Sequence, residues 1–365
     1  MDGARLVTAP RPVGATADAR VGIVLPARDA ARWIDHALAS LEVQTFGDFE
    51  ILVIDDHSTD STATRVAARA AADPRIRLLP NRGRGLVAAL STGIAATRAP
   101  LIARMDADDV ARPERLARQM AYLDAHPRVA LVGAQAQPID AAGRELGPPS
   151  RFPTEPDLLA HALQHRGCTI RHPTVLMRRE ALEAVGGYRA VTEWAEDYDL
   201  WLRMAERFRL ANLPDVLLDY RLHPDQVSHG LNWRQRFARD AALVAARARR
   251  RGEADPLAGF AAPFDLDDTA LARDPRLTPD LRRLAAAYAS ARAVTQARYG
   301  AVEPDFAAML EAARAGFFGE GRAVRASILR HCARAAWSGG QPLRAVESFV
   351  AALRISPGRA LRPAA

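Results

Sequence analysis

The sequence contains no lysine: all 50 of its basic residues are arginine. That absence excludes chemistry. A P-loop needs a lysine on its phosphates, and pyridoxal enzymes and Schiff-base aldolases need a lysine amine. The run ILVIDD suggests a receiver domain, but the lysine that usually accompanies such a phosphorylation site is missing. Cysteine is nearly as scarce. Cys168 and Cys332 make no disulfide framework, fit a reducing compartment and read as free core thiols. No run approaches the ~18 apolar residues of a membrane-spanning helix. Residues 1–20 lack a secretory hydrophobic stretch, and their Pro, Gly, Ala and Arg suggest a disordered lead-in.

What is present suffices for two domains. The chain has 365 residues, 49% of them hydrophobic, and a net charge of +7. In an Ala- and Arg-rich chain without lysine, that charge says little about nucleic acid. No nucleic-acid partner is expected, and an anionic substrate or acidic membrane surface fits equally.

The chain is organised around LIARMDADDVAR, residues 101–112. An apolar run ends in Asp106-Ala107-Asp108-Asp109. Carboxylates this close repel and raise one another's pKa, and a divalent cation with oxygen ligands removes that cost. Another run, Ile51–Ile54, ends in Asp55-Asp56. Open α/β sheets bind ligands beyond the carboxyl ends of their strands, so two acidic strand ends suggest one cleft for a metal and a nucleotide. Asp is also a preferred helix cap, and Asp109 ahead of Pro113 is placed for that role.

Short β-branched runs alternate with helical spacing. Strands are expected at 21–25, 50–54, 76–79, 101–105 and 129–133, with helices at 30–44, 61–72, 86–97 and 113–126. This alternation predicts a parallel, doubly wound sheet. Asn81–Gly85 is a turn whose arginines can face phosphate or carbonyl groups. After a weak stretch at 144–170 come a strand at 174–177, a helix at 178–185 and the stop Gly186-Gly187. Leu200, Trp201 and Met204 predict a helix with Glu196 and Asp197 in its first turn, where the helix dipole favours carboxylates. A last strand at 217–222 leads to His223, a candidate metal ligand. Residues 232–251 carry seven arginines, one acid and an apolar stripe of Trp233, Phe237, Ala241 and Val244. The stripe suits packing on the catalytic domain better than an anionic membrane. Gly340, Ala345, Phe349, Ala352 and Pro357 match half of a tetratricopeptide repeat.

Taken together, VGIVLPARDA, FEILVIDDHSTDST, RGLVAALSTGI, RMDADD, HPTVLMRRE, VGGYR, AEDYDLWLRM and YRLHPDQVS resemble the family-2 glycosyltransferases of the GT-A fold, in family order over about 21–230. The resemblance implies a Rossmann-like α/β domain at 21–230 with a mostly parallel sheet flanked by helices. An α-helical extension at 231–365 would follow the lead-in at 1–20. It implies transfer of a sugar, with inversion, from a nucleoside diphosphate donor, a UDP-sugar first, to a glycan or lipid-linked acceptor in cell-surface polysaccharide synthesis. By the same resemblance Pro26, Ala27, Arg28 and Asp56 hold the base. Asp106 lies near ribose and metal, Asp108 binds Mg²⁺ or Mn²⁺, and Asp197 is the catalytic base. Two positions depart from the family. Arg28 stands where an aromatic is common, and Leu90-Ser91 replace a common Arg-Asn, leaving Arg82 or Arg84 to supply that charge. A cytoplasmic location follows, with peripheral contact at the inner membrane face. The competing readings are an inactive nucleotide-sugar-binding scaffold that recruits partners through its C-terminal helices, and a GT-A nucleotidyltransferase. Intact Asp106, Asp108 and Asp197 favour the enzyme over the scaffold. The PARDA loop lacks the Gly-rich grip of the nucleotidyltransferases.

Overall fold

The β-branched runs of the first half fold as buried strands, and the helical stretches between them cross over in the Rossmann manner. The structure, a computed structural model, describes residues 19–224, 233–266, 271–295, 306–314 and 342–355, with Phe317, Ala326, Leu329, Arg330, Ala333 and Ala336. Most of the expected lead-in, and Cys332, Gly340 and Pro357, lie outside the described residues. The strands are β1 Val21–Ala27, β2 Phe49–Asp55, β3 Ile76–Pro80, β4 Leu101–Arg104, β5 Val110–Ala111, β6 Val129–Ile139, β7 Leu176–Arg178 and β8 Arg209–Arg221. The helices among them are α1 Ile34–Glu42, α2 Thr62–Ala72, α3 Leu86–Ala96, α4 Arg115–Ala125, α5 Pro156–His165, α6 Arg179–Ala184 and α7 Glu196–Ala205.

All eight strands form one sheet in the order β3-β2-β1-β4-β7-β6-β8-β5. β3, β2, β1 and β4 run parallel, and so do β6 and β8. β7 opposes β4 and β6, and β5 opposes β8, so the sheet is mixed. The parallel set brings the carboxyl ends of β1 to β4 to one edge. Pro26 sits in β1 without breaking it, because β4 pairs with β1 only as far as Val24 and demands no amide from position 26. Helix α3 lies so close to β1 that a Cβ on Gly93 would meet Val24 Cγ1 at 2.5 Å.

The later strands differ from expectation. β8 begins at Arg209 rather than 217, and β6 runs to Ile139 rather than 133. Polar residues hide both in the sequence. Gln135 and Asn212 are buried, yet their amide nitrogens are satisfied. Gln135 Nε2 donates to the Leu213 carbonyl at 3.1 Å, and Asn212 Nδ2 to those of Pro153 and Thr169. Gly186 and Gly187 do stop α6: Gly187 N–H donates to the Leu182 carbonyl, and both glycines have positive φ.

The chain divides into two compact units, Met1–Tyr188 with Arg203–Gln226, and Arg189–Leu202 with Val227–Ala365. The second unit thus takes in Arg189–Leu202, which the sequence reading placed in the catalytic domain. Its helices are α8 Trp233–Arg250, α9 Pro279–Thr295, α10 Phe306–Arg314 and α11 Pro342–Ile355. The apolar stripe of α8 is buried: Trp233 and Phe237 meet Tyr288 of α9 edge to face. On α11, Ala345 and Ala352 are buried while Phe349 is exposed. Among the described residues no helix is long and apolar enough to cross a membrane.

Candidate active site

Three loops at the parallel strand ends are laced together by short polar side chains. Asp29 Oδ1 accepts from Thr59 N–H at 2.7 Å, Asp29 N–H donates to Ser58 Oγ, and Ala31 N–H to Asp60 Oδ2. His57 Nε2 lies 2.7 Å from the Gly83 carbonyl. Asp29 and His57 hold φ of 47° and 59°, the left-handed region that non-glycine residues enter at some cost, and such backbone concentrates at functional loops.

Within this lacing stand the residues expected to hold the base. Pro26 and Ala27 end β1, and Asp56 N–H donates to the Ala27 carbonyl. Asp56 is only 6% exposed. Its carboxylate accepts from Asn81 Nδ2 at 2.6 Å and from Gly85 N–H at 3.0 Å, so it shapes the Asn81–Gly85 turn as well as facing Arg28. The Arg28 guanidinium lies 4.0 Å from Asp56 and is largely exposed. Gly85 has φ 86° and caps α3, a conformation that favours glycine. Arg82 and Arg84 are exposed on the turn. Leu90 is buried, so it is a packing residue.

The acidic stretch after β4 is built differently from a helix cap. Asp109 does not cap the following helix: α4 starts at Arg115, and Asp109 is fully buried. Its Oδ1 accepts from Arg221 N–H at 2.8 Å, and its Oδ2 is buried without a hydrogen-bond partner. Burial, with the charges of Asp106 and Asp108, pushes Asp109 well above the usual carboxylate range. Asp106 is gripped by both prongs of the buried Arg104 guanidinium. Asp108 Oδ2 lies 2.9 Å from His223 Nε2. Behind them Arg115 donates to the Arg104 carbonyl, and burial lowers it to about 10 against the pull of Asp109. The structure therefore brings Asp108 and His223 together across 115 residues of chain.

Oxygens of Asp106, Asp108 and Asp109 all lie within 4.8 Å of one another. A set of carboxylate oxygens beside an imidazole suits Mg²⁺ or Mn²⁺. The orphaned, buried Oδ2 of Asp109 fits as well, because a cation would answer an atom that now has no partner.

Asp197 lies in the first turn of α7, half-buried, and its Oδ1 accepts from Tyr198 N–H at 2.6 Å. Trp194 just before it has φ 76°. Leu200, Trp201 and Met204 are fully buried, as their spacing predicted. On the same helix Glu196 is buried, and Asp199 is buried against both prongs of Arg189.

Sequence reasoning missed Arg104, Arg221 and Trp33 as parts of the site and left Asp109 open between helix cap and carboxylate cluster. One signal was available. Arg221 and His223 are two residues apart at a strand end, so they project to the same side.

The sequence pattern described as Glycosyl transferase family 2 matches residues 22–186. The chain is 32% identical over 202 residues to the amylovoran biosynthesis glycosyltransferase AmsE of Erwinia amylovora, covering 55% of this chain and 74% of that protein. It is 27% identical over 207 residues to the O-antigen biosynthesis glycosyltransferase WbnJ of Escherichia coli, covering 56% and 80%. Among solved structures, S. aureus TarS 1-349 in complex with UDP-GlcNAc is similar in fold, with a TM-score of 0.57 at 15% identity over 94% of this chain and 93% of that one. An acidic strand end set beside three laced loops on a Rossmann-like sheet, and sequence likeness at these levels, lead to one assignment: the chain belongs to glycosyl transferase family 2.

Proposed function

We propose that this glycosyltransferase is metal-dependent and inverting. It moves a sugar from a nucleoside diphosphate donor to a hydroxyl of a glycan or lipid-linked acceptor in cell-surface polysaccharide synthesis. The observation that carries the reading is the cluster of Asp106, Asp108 and Asp109 with His223, at the same sheet edge as Pro26–Arg28 and Asp56. The relatives named for amylovoran and O-antigen synthesis support a polysaccharide product, and the TarS complex makes UDP-sugars the first donors to test. A cytoplasmic site, peripheral to the membrane where lipid-linked acceptors lie, goes with that role.

Asp106, Asp108, Asp109 and His223 would hold Mg²⁺ or Mn²⁺. Bound there, the cation offsets negative charge that grows on the departing diphosphate. Pro26, Ala27, Arg28 and Asp56 would seat the base, with Arg28 offering a guanidinium where a ring is common and Arg84 free to reach phosphate from the turn. Asp197 would accept the acceptor's hydroxyl proton as the new C–O bond forms. The bond from the anomeric carbon to phosphate breaks in the same displacement, and its electron pair leaves with the diphosphate. A single displacement inverts the anomeric centre.

Calorimetry with UDP and UDP-sugars, with and without Mn²⁺, tests the assignment. Asp108→Ala should abolish the metal-dependent part of nucleotide binding. Unchanged affinity and metal dependence in that variant would reject it.

A further inference from the structure

Arg221 is the last residue of β8 and only 4% exposed. Its backbone N–H holds Asp109 Oδ1. Its Nε donates to the Asp108 carbonyl at 2.7 Å, and its Nη1 to the carbonyls of Asp140 and Ala141 at 3.0 and 3.3 Å. The guanidinium plane is covered by the Trp33 ring, with Cζ 4.5 Å from the ring centroid. The same ring lies 5.9 Å, centroid to centroid, from His223, the residue that reaches Asp108 Oδ2. One side chain therefore joins the turn after β4, the end of β6 and the ring ahead of α1.

We propose that Arg221 is a positioning residue that locks the Asp108–Asp109 corner in its cation-accepting shape, with Trp33 clamping the guanidinium in place. This inference rests on the metal site proposed above. The fixed fork of an arginine can meet carbonyls in several directions at once, and a lysine ammonium on a flexible stem cannot. With the Asp108 carbonyl and the Asp109 carboxylate both tied to residue 221, the two side chains between them lose their freedom to splay apart under mutual repulsion. Groups that orient metal ligands without touching the metal are typically worth ~10–100-fold in metal affinity.

The test is Mn²⁺ affinity of the full chain, read by electron paramagnetic resonance without donor or acceptor, beside the melting temperature of each variant. Arg221→Lys should bind Mn²⁺ about 10–100-fold more weakly. In turnover assays it should raise the Mn²⁺ concentration for half-maximal rate far more than it lowers the rate at saturating Mn²⁺. Trp33→Leu leaves every hydrogen bond of Arg221 possible and removes the ring that clamps its guanidinium and lies against His223. It should weaken Mn²⁺ in the same direction, and it carries the test if Arg221→Lys fails to fold. Arg32→Ala removes a second guanidinium over the same ring, 4.2 Å from its centroid, and should leave Mn²⁺ binding unchanged. Asp108→Ala separates the two ideas. If it abolishes Mn²⁺ binding while Arg221→Lys and Trp33→Leu both bind like the parent, the positioning role is wrong and the metal site stands. If Asp108→Ala binds Mn²⁺ normally, the metal site falls and the positioning role falls with it.

Discussion

Asp197 and Asp199 share one helical turn but should fail in opposite ways when neutralised. Asp199 is fully buried and takes both prongs of Arg189. Arg189 also bonds Asp255 at 2.8 Å, and Arg249 reaches the same Asp255 oxygen at 2.7 Å. Burial works against the Asp255 charge, yet Arg189, the Leu257 N–H and Arg249 together hold it below the usual carboxylate range. Removing one partner of a buried ion pair costs ~3–5 kcal/mol. Asn keeps the shape and one acceptor oxygen, and Arg189 keeps Asp255, so Asp199→Asn belongs at the lower end, about 3 kcal/mol. At ~2–4 °C per kcal/mol, Tm should fall by about 6–12 °C. Asp197 is half-buried, and the bond it accepts from Tyr198 N–H is one that Asn can also accept. Asp197→Asn should therefore hold Tm within ~2 °C of the parent. It should lower turnover by ~10²–10⁴-fold, with donor affinity nearly unchanged. Glu196→Gln should do less harm to turnover than Asp197→Asn. The assay is calorimetric melting beside release of the nucleoside diphosphate at saturating donor. Near-normal turnover in Asp197→Asn, or loss of donor binding, would mean that the base is another residue. An unshifted Tm in Asp199→Asn would refute the burial argument.

Three further outcomes are expected. Gly93→Ala gains ~1 kcal/mol of helix propensity, but its Cβ meets the stiff Val24 at 2.5 Å on a central strand. Overpacking costs ~1–3 kcal/mol, so the clash should win and the urea midpoint should drop; a higher midpoint would show that α3 can shift. His172 is buried, with Nε2 2.8 Å from the Tyr188 hydroxyl, and burial, with Arg104 adding to it, holds it well below its ordinary value. The unfolded chain takes up that proton near pH ~6.5 and the folded one does not, so stability should decline as pH falls from about 7 to 5. His172→Gln should flatten that slope in urea titrations at several pH values, and an identical slope would exclude His172 as its source. Phe237→Ala should cost ~3–5 kcal/mol, because Phe237 is buried and meets Tyr288 and Phe264 edge to face. Melting of the variant checks this, and a loss below ~1 kcal/mol would show that the aromatic cluster of the second unit is not a tight core.

Local pattern carried much of this protein. Val21–Leu25, Ile51–Ile54 and Leu101–Arg104 read as strands because nearly every position along them is buried. Asp106 and Asp108 stood out because carboxylates crowded at a strand end need an explanation within a few residues. The helix carrying Leu200, Trp201 and Met204 was visible for the same reason: its period is local. Polar strand residues were harder. Gln135, Gln137 and Asn212 look like loop in a sequence and become strand only when distant carbonyls take their amides.

The order and direction of strands, the pairing of the two-residue β5 with β8, and the company that each carboxylate keeps were settled in three dimensions. From its neighbours in sequence Asp109 could be a cap or a member of the acidic cluster. In the fold it is buried against the amide of Arg221, 112 residues away, with one oxygen left unpartnered. Arg221 was one arginine among 50 until β8 carried it to the turn after β4 and under the ring of Trp33. The physical reason is range. Hydrophobic period and turn chemistry act between residues a few positions apart, so the sequence alone determined the apolar elements and the acidic motif. Hydrogen bonds and ion pairs between residues a hundred apart exist only once the sheet has closed, so tertiary structure alone decided how that motif is held.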